Sequence, residues 1–317
     1  MTASPPTSDG AGFPATHAVF NQAEPLVGGN LFTTHRALQS ALAFHAPALE
    51  TADLQALGAH MGSLSMQTHA RLANTHTPVL HSHDRLGRRI DQVEFHPSYH
   101  ALMGAAAEAG LHGSPWDLDS GPHAHLRRAA AFMLFTEAEP SILCPISMTY
   151  AALPALRGNP AIFDAWAPGL MARTYDPAFT LYRHKRGLTM GMGMTEKQGG
   201  SDVRANTTQA IPDGEDAWGP RFKLLGHKWF FSAPMCDAFL VLAHSPAGLS
   251  CFFVPRILPD FADPQSAGTV NAIRIQRLKD KLGNHANASS EVEFQHASAW
   301  LVGVEGEAYR RFWKWAP

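Results

Sequence analysis

The sequence predicts an α+β chain built as two folding units, a helical one followed by a β-rich one. Three observations carry that prediction. Apolar residues recur at three- and four-residue spacing as far as about residue 172. After Gly187 the texture changes to short apolar and aromatic runs separated by turn residues. The 317 residues, 45% of them apolar, also suffice for two packed cores. The divide falls near residue 185, and no internal repeat is visible.

Taken in order, Met1 to Pro14 is dominated by Ser, Thr, Pro and Gly without an apolar repeat, which is the composition of a disordered segment. Thr16 to Phe32 reads as an irregular lead-in. Thr51 suits the N-cap of a helix in which Leu54, Leu57, Met61 and Leu64 recur on one face. Further helices are expected over Ser98–Ala109, His123–Glu137, Ile146–Leu156 and Ala161–Ala172, punctuated by Gly110, Pro140 and Gly158-Asn-Pro. Strands are expected over Leu188–Met194, Arg221–Ser232, Ala238–Ala243, Leu249–Val254, Ile273–Leu278 and Glu291–Phe294, with turns at Pro212-Asp-Gly and Gly283-Asn. Val302-Gly-Val-Glu-Gly-Glu-Ala then reads as a turn toward another helix. Only Tyr309-Arg-Arg-Phe-Trp-Lys-Trp-Ala-Pro317 follows it, with aromatic residues that have little left to cover them.

Composition narrows the function. Charged residues make up 16% of the chain, and 25 Lys+Arg against 27 Asp+Glu leave a net charge of −2. That is no basic field of the kind that drives nucleic-acid binding. Cys144, Cys236 and Cys251 are odd in number, widely spaced and free of any C-x-x-C pattern, which argues against a disulfide framework or zinc site and fits a reducing cytoplasm. No basic-then-apolar leader and no run of 18 apolar residues is seen, so neither a signal peptide nor a membrane span is expected.

The stretch from Gly187 to Ser232 holds the strongest chemical pattern. In an extended Leu188–Met194, alternation places Leu188, Met190, Met192 and Met194 on one face and Thr189, Gly191 and Gly193 on the other. A bare glycine face lets something flat or another backbone come close. The Gln198-Gly-Gly-Ser201 loop that follows can turn several amides toward one anion. In an extended Lys228–Ser232, Phe230 and Ser232 share one face while Trp229 and Phe231 share the other. An aromatic wall beside a hydroxyl suits a planar heterocycle, although aromatic alternation in a strand is equally the mark of a core. Gly191-Met-Gly193 lacks the third glycine of a dinucleotide fingerprint and no βαβ unit surrounds it, so a Rossmann site is not expected.

Other candidates have ordinary readings. The pairs His96/His100, His81/His83 and His123/His125 read as surface or capping histidines rather than metal ligands, with Glu94 the one carboxylate close to the first pair. There is no G-x-S-x-G elbow, and Cys236 and Cys251 read as structural. Arg85/Arg88/Arg89, Arg183/Lys185/Arg186 and the run from Arg274 to Lys281 are short basic clusters, solvated or able to receive a ligand phosphate.

Three ordered motifs carry a family resemblance: Met194-Thr-Glu-Lys-Gln-Gly-Gly-Ser-Asp202, Gly226-His-Lys-Trp-Phe-Phe-Ser232, and Leu278-Lys-Asp-Lys-Leu-Gly-Asn-His-Ala-Asn-Ala-Ser-Ser-Glu-Val-Glu-Phe294. Together they resemble the acyl-CoA dehydrogenase superfamily, in its AidB-like branch of adaptive-response proteins induced by DNA alkylation. The likeness extends from about His17 to Glu307 and includes Arg89-Ile-Asp-Gln-Val-Glu-Phe-His-Pro97 and Leu143-Cys-Pro-Ile-Ser-Met-Thr149.

The resemblance implies a disordered start over 1–16, a helical domain over 17–185, a β-barrel domain over 186–300 and the start of a C-terminal helical bundle over 301–317. FAD would lie between the barrel and the bundle. Met192, Gly193, Met194 and Thr195 would meet its pyrimidine edge. Gly200 and Ser201 would lie against the pyrophosphate. Phe230 would flank the isoalloxazine, Phe231 would be among the cofactor-binding residues, and Ser232 would bond near N5. The implied partners are FAD, an acyl-CoA-like substrate and further copies of the chain.

Tyr309 to Pro317 departs from the family pattern, so the bundle and its glutamate base are expected to be missing through truncation, frameshift or fragmentation. No catalytic residue and no metal ligand is assigned; Glu196 belongs to the loop motif and reads as structural. The expected function is that of an AidB-type flavoprotein dehydrogenating an acyl-CoA at its α,β positions, impaired by truncation. A non-enzymatic DNA-protection or interaction module and an inactive remnant are the competing readings. At net charge −2 and without the family's basic C-terminal region, strong DNA binding is not expected.

Overall fold

A computed structural model describes residues 21–117 and 120–308. The expected disordered start and the aromatic tail Tyr309–Pro317 lie outside the described residues. The helical part begins with α1 (Leu31–Thr34), α2 (Arg36–His45), α3 (Ala52–Met61) and α4 (Leu64–Thr75). Side-chain caps decide where several of these start: Asn30 Oδ1 accepts from the N–H groups of Phe32 and Thr33, and Ser63 Oγ from that of Met66. The apolar run Leu54, Leu57, Met61, Leu64 therefore belongs to two helices rather than one. The break is at Gly62, where a Cβ would stand 1.9 Å from the carbonyl oxygen of Gly29.

A second departure from the expected all-helical half is a hairpin, β1 (Val79–His83) with β2 (Arg89–Glu94), paired antiparallel. Its turn uses Gly87 at φ 76°, and Asp84 Oδ1 accepts the N–H groups of Leu86 and Arg88. The remaining helices are α5 (Pro97–Glu108), α6 (Ala124–Ala138), α7 (Leu143–Leu156) and α8 (Pro160–Met171), each close to its predicted span. Pro97 and Pro160 occupy first helical turns, behind the caps His96 and Asn159.

The β part comprises β3 (Met190–Thr195), β4 (Gln209–Asp216), β5 (Gly219–Ser232), β6 (Ala238–Ser245), β7 (Gly248–Pro255), β8 (Ile257–Leu258), β9 (Thr269–Val270), β10 (Ile273–Leu278) and β11 (Ser289–Leu301). Among the described residues, seven strands form one sheet in the order β10-β11-β7-β6-β3-β5-β4, and β11 also pairs with β5. What this establishes is a β-sheet domain following a helical one. Pro212-Asp-Gly, read from sequence as a turn, lies inside β4. The irregularity it signals is a register shift against β5 between Pro212 and Glu215.

Burial explains why β6 is apolar throughout. Phe239, Val241 and Ala243 pack into a core with Phe222, Phe231, Phe252 and Phe294 on one face of the sheet. On the other face Leu240 and Leu242 pack with Met190, Phe253 and Trp300 against Leu153, Leu156, Trp166 and Leu170 of α7 and α8. A strand covered on both faces loses the polar half of its alternation.

The hairpin is fastened to the sheet by Asp91. Its φ is 46°, a conformation that non-glycine side chains resist. Its carboxylate accepts from Arg89 Nε at 2.7 Å and from the N–H of Ile275 on β10 at 3.1 Å, while its carbonyl takes Arg256 Nη2.

Candidate functional site

The site is built where β3 and β5 run side by side. Met192 lies opposite Ser232, Gly193 opposite Phe231, and Thr195 opposite Phe230. Directly opposed residues point to the same side of a sheet. Met192, Thr195, Phe230 and Ser232 therefore share one face, and Gly193 and Phe231 share the other. Met194 and Met192, both half-buried, pack on the first of these faces.

Two expectations are corrected. The bare glycine face is not open. A Cβ on Gly193 would stand 2.6 Å from the ring of Phe231, and one on Gly191 would stand 2.5 Å from the ring of Phe239. Aromatic side chains of the sheet's own core fill that space, and Phe231, at 0% exposure, belongs to that core rather than to an accessible wall. The faces predicted for β5 also change, because a register shift sets Trp229 and Phe230 together against Glu291 of β11. Trp229 thereby leaves the side of Phe231. Lys279 Nζ lies 3.4 Å from the Trp229 ring centroid and 5.8 Å from that of Phe230.

Phe230 is 44% exposed, an accessible aromatic plane. Lys197 and Arg277 approach the Trp229 ring at 5.4 Å and 5.5 Å, and Glu291 Oε1 accepts from both Arg277 and Lys279. Two cations thus share one carboxylate, which leaves the rim beside Phe230 basic.

Behind Ser232 is a cluster that the sequence reading did not contain. Ser232 Oγ lies 3.2 Å from Ser289 Oγ, and Lys281 Nζ donates to Ser289 Oγ and to the carbonyl of Asn287. Asn287 Oδ1 is buried without a partner among the described residues. Burial raises the Cys144 thiol above its ordinary pKa, against hydrogen bonds with Ser232 and Asn287 and the charge of Lys281. The signals were Cys144 in the Leu143–Thr149 motif and the Asn287-Ala-Ser-Ser290 run. Neither spacing places them beside Ser232; the tertiary fold does.

The loop after β3 is short and tightly held. Glu196 and Gly199 exchange backbone hydrogen bonds, and Gly200 packs so closely on Thr195 that a Cβ would stand 2.6 Å from Thr195 Oγ1. Gly200 and Ser201 are exposed. The N–H groups of Gly200, Ser201 and Asp202 have no protein partner among the described residues. These are the donors that an anion needs.

Beneath this loop Glu196 is fully buried and paired with fully buried Lys228 at 2.7 Å. Desolvation pushes the Glu196 carboxyl up, but hydrogen bonds from Lys228, Thr207 and Thr208 and the Lys228 charge outweigh it and hold the group at about 2. Burial draws Lys228 down to about 8, against the pull of Glu196.

Elsewhere, a cleft of about 740 Å³ opens among α3, α5 and α6, lined by Leu54, Leu57, Arg127, Arg128 and Arg173, and it contains none of the predicted site residues. Among the described residues no group of three metal-ligating side chains occurs, and no helix is long and apolar enough to cross a membrane. His96 caps α5 and His81 pairs with Glu94.

Comparison with known proteins gives this geometry a family. Residues 21–177 match the adaptive response protein AidB N-terminal domain, and residues 191–297 match the acyl-CoA dehydrogenase middle domain. AidB of Escherichia coli (strain K12) is 48% identical over 298 residues, covering 93% of this chain and 53% of that protein. Among solved structures, the apo form of Bd2924 superposes with a TM-score of 0.79 at 31% identity, covering 94% of this chain and 58% of that one. Caenorhabditis elegans ACDH-11, solved in complex with C11-CoA, shares the fold with a TM-score of 0.78 at 24% identity, covering 95% of this chain and 51% of that one. The chain spans about half the length of these relatives. With two family domains matched in order over most of its length, the chain belongs to the acyl-CoA dehydrogenase superfamily, with an AidB-type N-terminal domain.

Proposed function

We propose that the chain supplies one wall of a flavin site in an AidB-like acyl-CoA dehydrogenase, with FAD as cofactor and an acyl-CoA-like thioester as substrate. The observation that carries this is the shared outer face of β3 and β5. An accessible Phe230 plane and the hydroxyls of Thr195 and Ser232 lie beside a loop whose amides are free. The residues fit the group: a stacking surface, hydroxyl donors, an unpartnered buried acceptor at Asn287 and a basic rim at Lys197 and Lys279 match a planar heterocycle bearing phosphates.

On this reading Phe230 flanks the ring system, Thr195 and the backbone from Met192 meet its polar edge, Ser232 reaches the ring nitrogens, and Gly200 and Ser201 face the pyrophosphate. When bound, the flavin supplies hydride acceptance. The chain's own groups orient it and shield one face from water. The closing of the sheet into a barrel and the domain limits 17–185 and 186–300 belong to the same proposal. No residue is assigned as the base that removes the α-proton. Glu196 is saturated with donors, and Glu139, 1% exposed, spends its oxygens on Asn74, Ser141 and the N–H of Ile142.

The test is titration of the purified protein with FAD, followed by flavin fluorescence and the visible spectrum. Saturable binding with a shifted flavin band is expected. A flavin spectrum identical to that of free FAD at every protein concentration would refute the reading.

A further inference from the structure

Six hydrogen bonds converge on the carboxylate of Glu196. Oε1 accepts from Lys228 Nζ at 2.7 Å and from Thr208 Oγ1 and N at 2.6 and 3.2 Å. Oε2 accepts from Thr207 N and Oγ1 at 2.6 and 3.0 Å and from Gln198 Nε2 at 2.7 Å. A buried ion pair is weak evidence for stability, because well-packed apolar residues of similar volume are often as stable or more so. What an apolar pair cannot do is fix the donors of separate segments at one point. Here the donors come from the turn after β3, from the two residues that lead into β4, and from β5.

The consequence is geometric. The loop from Lys197 to Asn206 is pinned at both ends to the same carboxylate, and through Lys228 to the strand that carries Phe230 and Ser232. Two further bonds brace it: Gln198 Nε2 donates to the carbonyl of Ala205, and Asn206 Nδ2 donates to that of Met194. The middle of the loop is left to present the free amides of Gly200, Ser201 and Asp202.

We infer that Glu196 and Lys228 form a positioning pair, which holds the loop from Lys197 to Asn206 in the shape that presents its amides to an anionic ligand beside the β3–β5 face. The identity of that ligand as the flavin pyrophosphate rests on the proposed function; the positioning of the loop does not.

The experiment uses the double variant E196Q/K228M, which removes both charges together, in the purified chain. Three measurements are made: the thermal melt by circular dichroism, the rate of trypsin cleavage after the exposed residues Lys197 and Arg204, and FAD affinity by fluorescence titration. A melt within a few degrees of the parent, cleavage at the two loop sites faster by about tenfold, and FAD binding weaker by about tenfold are expected, since local opening exposes the loop without global unfolding. Unchanged cleavage with an intact melt overturns the inference. If the parent protein binds no FAD, the flavin reading falls and the proteolysis still decides the positioning role. If the double variant does not fold, Q198A serves instead. It cuts the exposed Gln198 brace alone and is expected to raise loop cleavage by roughly two- to threefold at an unchanged melt, and no rise there overturns the inference as well.

Discussion

Replacing Gly193 by alanine decides whether the bare face of β3 is core or ligand wall. The added Cβ would stand 2.6 Å and 2.7 Å from Cδ2 and Cε2 of Phe231 and 3.3 Å from Cγ of Lys228. Ordinary carbon contacts lie at about 3.5–4.0 Å, so the ring would have to retreat by roughly 1 Å. It has nowhere to go. Phe231 is fully buried, with the ring of Phe239 at 4.3 Å and that of Phe294 at 6.2 Å between centroids. Nor can β3 shift, because it is laddered to β5 on one side and β6 on the other.

Overpacking of this kind costs about 1–3 kcal/mol, and the absence of a yielding neighbour puts G193A near the upper value. At about 2–4 °C per kcal/mol for a chain of this size, the melt should fall by roughly 6–12 °C. The assay is a thermal melt by circular dichroism beside an FAD titration. A ligand-wall reading of the same glycine predicts the reverse, an unchanged melt with lost FAD affinity. A fall of less than about 2 °C would refute the packing argument.

Phe230→Ala should leave stability within about 0.5 kcal/mol, because the ring is half in solvent, yet weaken FAD binding roughly five- to tenfold; equal affinities in a fluorescence titration would exclude Phe230 as the stacking surface. Glu196, whose carboxyl is held at about 2 against an ordinary 4.5, contributes stability that is fully present above 4.5 and is lost as pH falls through 2. Urea midpoints measured from pH 5 to pH 2 should therefore fall more steeply for the parent than for E196Q/K228M. Parallel curves would show that the pair carries no such linkage. Asp91→Ala should destabilise by about 2–4 kcal/mol. It removes the acceptor of Arg89 Nε, leaving that guanidinium only the Ile275 carbonyl, and it strands the Ile275 N–H while keeping a positive φ on a residue that resists it; Asp91→Asn should cost less in the same urea titration.

How far the sequence reaches is clearest from where its period rules hold and fail. α5 to α8 and β3, β5, β6, β7 and β10 lie within a few residues of their predicted spans, because each combines a long apolar period with a cap or turn residue at its end. The β1–β2 hairpin was missed although Asp84-Arg-Leu-Gly87 is turn chemistry, since half-exposed alternation of five or six residues is a faint signal within helical surroundings. The bare glycine face is where alternation puts it, and the flat groups that come close to it are core rings. Composition shows that Gly193 has no side chain, whereas what fills the space depends on Phe231 and Phe239, brought there by the sheet.

The site turns on one extra residue in β5. Strict alternation sends Trp229 and Phe231 to one side and Phe230 and Ser232 to the other, and a ladder without irregularity would bury Trp229 in the core. The shift against Glu291 instead turns Trp229 out beside Phe230, while Phe231 and Ser232 keep their predicted sides. Two aromatic rings then stand beside Lys279, and Lys228 points inward, where Glu196 must meet it. One bulge therefore accounts for both the aromatic platform and the buried charge that demands a partner in the loop. Had β5 been regular, the residues of the Gly226–Ser232 motif would still be present, but the loop amides and the exposed ring would have no common anchor. Bulges collect beside functional sites because they re-aim side chains in this way. The physical link between the two walls is Lys228, and E196Q/K228M tests the loop wall while F230A tests the aromatic one.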